Sequence, residues 1–168
     1  MPILHFPDPT GTRRLAEIVI DTRRLTKRSA ADWQCQVIEE CRRQRALTPA
    51  VFSFLKATGL LSRCTFLASE GPADPLRFHY IGAPTIGVLG RAWARSVLDQ
   101  PVDQDPHTEF ACRVGAEYAE AIASGEALFN SFSVTGLGRP FDYVQALFGW
   151  SDGGRRAVLA CIDVKALH

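Results

Sequence analysis

The chain is 168 residues long, 46% of them hydrophobic, and carries a formal net charge of +1. This composition excludes a disordered, fibrous or strongly charged protein and predicts a globular fold with a real core. Residues 1–60 contain ten Lys and Arg against six Asp and Glu, and residues 1–28 form a basic N-terminal arm. A basic segment can contact nucleic acid, but a solvated helical face is the simpler interpretation, and we expect no nucleic-acid partner.

A helical extension is predicted over residues 29–61. Ser29 is placed to act as the N-cap of its first helix. Trp33, Val37 and Cys41 follow at every fourth position and therefore lie on one helical face. A second helix starts at a Thr-Pro pair. Because the apolar face needs a surface to pack on, we predict that these helices join two copies of the chain in a homodimer.

From residue 62 the pattern changes, and residues 62–166 form the main predicted domain. Two β-rich segments around a Gly-Pro turn predict a hairpin. A long helix follows, with apolar residues at every fourth position and a glycine at its end. Three more strands are joined by Gly-containing turns. The predicted elements are strands at Cys64–Leu67 and Leu76–Gly82, short helical turns over residues 83–98, a helix from Asp105 with Phe110, Val114, Tyr118 and Ile122 on one face, and strands at Leu128–Val134, Arg139–Trp150 and Arg155–Val164.

Three short stretches of this domain resemble PAS domains. Pro75–Gly82 is an arginine- and aromatic-rich strand that ends in Gly, Gly90–Trp93 resembles the start of the loop that closes the PAS pocket, and Leu147–Gly154 is an apolar strand that enters a polar hairpin. The order of elements is similar too, and the chain most resembles the single-PAS-domain proteins of alphaproteobacteria. The resemblance implies an α+β fold with a five-stranded antiparallel sheet, helices on one face and the helical extension in front.

The same resemblance implies a non-catalytic sensory or adaptor domain in signal transduction, which binds a small ligand or a signalling protein. A candidate pocket lies between the sheet and the long helix. Asn130 stands out because it is polar but in phase with Leu128 and Phe132, and a buried amide must find partners. The candidate pocket residues are Tyr80, Trp93, Phe110, Val114, Tyr118, Asn130, Phe132 and Tyr143.

The sequence lacks motifs for catalysis or for cofactor binding. It contains no Gly-x-Ser-x-Gly and no His-Glu-x-x-His motif, no flavin-reactive Cys motif, and no Cys/His spacing that suits a tetrahedral metal site. His107 is a candidate haem ligand, but it precedes the long helix. We therefore expect no enzyme activity, cofactor or metal. Two alternatives stay open: a small α+β enzyme with a cone-shaped pocket, and a DNA-binding regulator that uses the basic segment 13–45.

The cysteines and the hydropathy predict a cytoplasmic protein. Five cysteines without a C-x-x-C pair suit free thiols in a reducing compartment. No apolar stretch reaches the roughly 20 residues that a membrane span needs, and no signal peptide is evident. We expect no contact with a membrane.

Overall fold

A single antiparallel sheet organises the part of the chain that the computed structural model describes, residues 17–165. Within these residues the fold is α+β, with six strands and five α-helices, and none of these helices is long and apolar enough to cross a membrane. The strands are β1 (Val19–Arg24), β2 (Cys64–Ser69), β3 (Arg77–Tyr80), β4 (Leu128–Thr135), β5 (Phe141–Asp152) and β6 (Arg155–Lys165), and the helices are α1 (Asp32–Arg43), α2 (Pro49–Ala57), α3 (Ala83–Leu89), α4 (Arg91–Val97) and α5 (Thr108–Ser124).

The strand order in the sheet is β1-β4-β5-β6-β2-β3. The predicted β5–β6 hairpin is confirmed: Asp152 pairs with Arg155, and Gly153 and Gly154 between them have φ of +56° and +82°. Two positive φ angles are what a two-residue hairpin turn requires. The sheet has six strands rather than the expected five because β1, from the predicted N-terminal arm, pairs with β4 along its whole length. The rest of that arm, residues 1–16, lies outside the described residues.

Helices cover both faces of the sheet: the three helices of the main predicted domain lie on one face, and the two helices of the predicted extension lie on the other. Alternate residues of β5 point to opposite sides: Tyr143 and Leu147 contact the cluster built with α3, α4 and α5, whereas Ala146 and Phe148 contact the cluster built with α1 and α2. We call these two sides the α5 face and the α1 face. The predicted helical extension is thus a layer of the same core.

Helix α1 folds back on its own sheet. Val37 and Cys41 are fully buried there, so the apolar face from which we predicted a homodimer is already covered within the chain. The dimer stays a prediction, but it loses this reason. The helix also starts later than predicted, after Ala31 rather than Ser29, because the Gln34 side chain accepts a hydrogen bond from the Ala31 amide (3.0 Å).

Helix α5 lies directly across β5. A Cβ atom on Gly149 of β5 would lie 2.4 Å from the backbone nitrogen of Ile122, so only glycine permits this approach. The helix ends at Gly125, with φ of +63°, as predicted, and starts at Thr108 rather than at Asp105. The buried Asp105 carboxylate instead accepts a hydrogen bond from the His107 amide (2.8 Å) just before the helix. This placement leaves a space between the helix and the sheet further along β5.

Candidate functional site

A cavity of about 40 Å³ lies on the α5 face, between the sheet and helices α3, α4 and α5. On this measure one water molecule needs about 10–15 Å³, so the cavity has room for about three waters or a few ligand atoms. Its wall is mostly apolar, with side chains such as Phe78, Val88 and Ile162. A few polar groups also face it. An apolar chamber with few polar groups is the usual composition of a small-molecule site.

Most of the residues predicted for the pocket meet at this cavity. Those that line it are Trp93, Phe110, Val114, Tyr118 and Tyr143. Phe132 lies behind the wall, where its ring stacks on that of Tyr143 with centroids 4.9 Å apart. The spacing of four along α5 and the alternation along β5 thus placed these residues on the right face.

Tyr80 does not belong to the cavity, and this part of the prediction is wrong. Strict alternation places Phe78 and Tyr80 on the same face, but the pairing of β2 with β3 shifts between Phe66 and Leu67. As a result Phe78 packs on the α5 face, whereas Tyr80 stacks on Phe66 on the α1 face, with ring centroids 4.9 Å apart. An irregularity in the ladder reverses the side on which the following residues lie.

A buried carboxylate closes one part of the cavity. The Trp93 indole Nε1 donates to both carboxylate oxygens of Asp105, at 3.1 and 3.2 Å. Asp105 was missed as a lining residue because an Asp-Pro pair is typical of a helix start. Burial, with a smaller effect of the Asp105 carboxylate, raises the pKa of Tyr118 above the ordinary range. The Tyr118 hydroxyl therefore stays protonated at neutral pH and can act as a donor.

An unpartnered acceptor lies elsewhere in the cavity wall. The side-chain oxygen Oε1 of Gln145 is buried and has no hydrogen-bond partner among the described residues. Nearby lining positions are better satisfied: Thr65 Oγ1 accepts from the Gly82 amide (2.9 Å) and lies 3.4 Å from Thr85 Oγ1. Sequence reasoning missed Gln145, although it stands in phase with Tyr143 on β5. A buried acceptor without a donor indicates a place for a ligand or a water.

Asn130, in contrast, lies in a polar cluster outside the cavity. Its side-chain amide donates to Glu117 Oε2 (2.8 Å), and Arg24 contacts Glu117 at 3.0 Å and Glu120 at 2.7 Å. The Asn130 amide nitrogen thus has a partner on α5, whereas its buried oxygen Oδ1 has none among the described residues. The cluster ties β1 to that helix. Burial, followed by Tyr118 and Glu117, raises the pKa of Tyr143 well above its ordinary value.

The titratable side chains that line the cavity are those of Asp105, Tyr118 and Tyr143. Of the histidines, His79 is exposed and His107 is half-buried at the start of α5, and neither lines the cavity. Among residues 17–165, no group of three or more His, Cys, Asp or Glu side chains is arranged to hold a metal ion. The carboxylate of Asp105 is already engaged by Trp93. What the arrangement offers a ligand is apolar contact, two neutral tyrosines and one free acceptor.

Comparisons of the chain with protein-family models, with curated proteins and with solved structures gave no match. The resemblance to PAS domains therefore stays a prediction from the sequence. A functional assignment has to rest on the residues and their geometry.

Proposed function

We propose that the chain is a non-catalytic, PAS-like sensory domain that binds a small organic ligand between α5 and the sheet. The observation that carries the proposal is the free Gln145 acceptor in the wall of an otherwise apolar cavity. The order of elements from β2 supports the PAS-like part: two strands, two short helices, a long helix and three strands. This is the order on which the resemblance was based.

Helix α3 is the element that gives access to the cavity. Thr85, Val88 and Leu89 of this helix line the cavity, yet none of its residues is fully buried. It lies between Gly82 and Gly90, and Gly90 has φ of +93°. An element with little buried surface opens locally at a small free-energy cost. Ligand contacts to α3 would favour its closed position, and that shift in population is the signal passed to a protein partner.

The two alternative functions gain no comparable support. A cone-shaped-pocket enzyme needs a His beside a carboxylate in the cavity, and Asp105 has Trp93 there instead. A DNA-binding regulator needs cationic side chains that are free to contact phosphates, whereas Lys27 and Arg42 of the basic segment are ion-paired with Glu39.

A pair of matched substitutions tests whether the cavity is a binding site. Val114 lines the cavity on the α5 face, and Val37 is fully buried on the α1 face. Val114→Leu should extend into free space, leave the melting temperature of the free protein nearly unchanged and abolish the shift caused by a ligand. Val37→Leu should overpack a dense core, lower stability by about 1–3 kcal/mol and leave the ligand shift intact. Thermal melts with and without a library of small organic metabolites measure both effects.

The proposal fails if no compound stabilises the wild-type protein and Val114→Leu destabilises it as much as Val37→Leu does. The core would then be full on both faces. In that case a protein-interaction adaptor is the better interpretation.

A further inference from the structure

A second space adjoins the cavity on its outer side. It is a surface groove of about 350 Å³ between α5 and the segments that precede β3 and α5. Val102, Ala111 and Tyr118 line both the groove and the cavity. These three side chains therefore form the partition between solvent and the buried chamber. A ligand seated in the groove needs only a movement of this partition to extend into the cavity.

One arginine in the groove lacks an anionic partner. Arg156 on β6 is half-buried, donates from Nη2 to the backbone oxygen of Asp74, and has a buried Nε without an acceptor. Among the described residues no carboxylate lies within 4.0 Å of its guanidinium, whereas Arg24, Arg42 and Arg43 all have one. A half-buried guanidinium whose charge is not balanced by a carboxylate is suited to binding a planar anion.

The surroundings of Arg156 favour an anion of a single charge. The groove has no second cationic side chain among its lining residues, and it has one exposed carboxylate, Asp103. A doubly charged phosphate would lie near one cation, Arg156, and one anion, Asp103, so most of its charge would not be neutralised. The rest of the groove is formed by apolar side chains such as Pro75 and Leu76. A carboxylate attached to an apolar body fits both features.

We propose, on the basis of the proposed function, that the ligand is a small monocarboxylic acid. Its carboxylate binds Arg156 in the groove, and its apolar body passes the partition at Tyr118 into the cavity. A hydroxyl or amine at its far end donates to Gln145 Oε1. The ligand thus supplies an anion to a guanidinium whose partner is the Asp74 backbone oxygen, and a donor to Gln145 Oε1, which has none among the described residues.

The test compares acids with neutral analogues of the same length. Butanoate, hexanoate, octanoate and 6-hydroxyhexanoate are titrated into the full chain by calorimetry and in thermal melts, beside hexanamide and 1-hexanol. We expect the acids to bind, the neutral analogues to bind at least about tenfold more weakly, and 6-hydroxyhexanoate to bind more tightly than hexanoate. Gln145→Met should remove the advantage of the hydroxyl and leave hexanoate binding in place.

Neighbouring arginines supply the matched variants. Arg156→Gln should weaken acid binding by about 10- to 100-fold, since a hydrogen bond to a charged group is lost. Arg156→Lys keeps the charge without the planar fork, so it should be intermediate. Arg155→Gln is the control: both arginines line a groove on the α1 face, but only Arg156 also lines the groove beside the cavity. Arg155→Gln should therefore bind the acids like wild type.

The outcomes separate this inference from the proposed function. Equal binding of hexanoate and hexanamide, equal effects of Arg156→Gln and Arg155→Gln, or no binding by any acid of the set would overturn the carboxylate assignment. The Val114→Leu and Val37→Leu melts decide independently whether the cavity binds anything at all.

Discussion

Each face of the sheet buries a glutamine, and the two side chains differ in their hydrogen bonds. On the α1 face, Gln34 is fully buried, donates to the backbone oxygens of Val144 (3.1 Å) and Cys161 (2.9 Å), and accepts from the Ala31 amide. On the α5 face, Gln145 has a buried oxygen without any donor. The hydrogen bonds of Gln34 are thus made within the chain, whereas Gln145 has an unpaired acceptor and lines an unfilled cavity.

The packing of the two faces differs at the cavity. Both faces contain side chains with no exposed surface, such as Val37 and Leu159 on the α1 face and Leu67 and Leu147 on the α5 face. The α5 face contains the cavity, and its covering helix α3 has no fully buried residue. Native cores are dense, and an unfilled space with an orphaned acceptor lowers stability. The comparison is the basis on which we propose the α5 face, rather than the α1 face, as the ligand-binding side.

The largest predicted effect concerns the contact that holds α5 in place. Gly149→Ala inserts a methyl group 2.4 Å from the Ile122 nitrogen and 2.5 Å from the Ala121 carbonyl carbon. Because backbone cannot yield as a flexible side chain does, we expect a loss of about 3 kcal/mol in the free energy of unfolding. Urea denaturation measures it. The control is Gly115→Ala within α5, where an added Cβ has no neighbour within 4 Å, and which should stabilise by up to about 1 kcal/mol.

If Gly149→Ala proves as stable as wild type, α5 does not lie directly on β5, and the cavity beside it loses its geometry. A loss in both glycine variants would show instead that α5 tolerates no substitution. Either result would remove the structural basis of the α5 face as described.

A smaller effect should separate the two glutamines. Gln34→Leu deprives the Ala31 amide of its acceptor and two strand carbonyls of a donor, so we expect a loss of about 2 kcal/mol. Gln145→Leu removes an acceptor that has no donor, so its effect on the free energy of unfolding should be less than about 1 kcal/mol in either direction. Urea melts of the two variants without ligand make the comparison. Equal losses would mean that Gln145 has a partner, and the case for the site would be lost.

Local patterns predicted the elements of the α5 face well. The Asp-Gly-Gly turn predicted the β5–β6 hairpin, and the spacing of four predicted Phe110, Val114 and Tyr118 as the inner stripe of α5, all three of which are buried. Such signals are local, because a turn or a helical face is encoded within a few residues. The cavity could therefore be anticipated from one helix and one strand.

Contacts between distant parts of the chain could not be predicted in this way. The pairing of β1 with β4 joins residues more than a hundred positions apart, and nothing within β1 indicates its partner. The apolar face of α1 could pack on its own sheet or on a second copy of the chain. The periodicity of the helix does not distinguish these two arrangements. Tyr80 was misplaced by a shift in the strand register. Arg156 stood in a strand whose pattern gave no sign of its missing partner.

The smallest predicted effect is a difference between the two faces in how alkaline pH lowers the free energy of unfolding. On the α1 face burial raises the pKa of Cys41, and the contact with Cys64 (Sγ–Sγ 3.9 Å) together with burial raises the pKa of Cys161. On the α5 face burial raises the pKa of Tyr118 and Tyr143. The folded protein keeps these protons when the unfolded chain loses them. Stability is therefore full below the pKa of the unfolded group and falls as the pH rises above it.

The two faces should weaken in sequence because unfolded thiols ionise near pH 8.5 and unfolded phenols near pH 10. Between pH 7 and pH 9 the two buried thiols together should lower the free energy of unfolding by about 1.7 kcal/mol, while the tyrosines contribute little. Urea melts across this range measure the slope. Cys161→Ala should reduce the slope between pH 7 and pH 9, whereas Tyr143→Phe should leave that part unchanged and reduce the slope only above about pH 10. If Cys161→Ala keeps the wild-type slope, the thiol is not protected from ionisation, and the α1 face is less tightly closed than the buried side chains indicate.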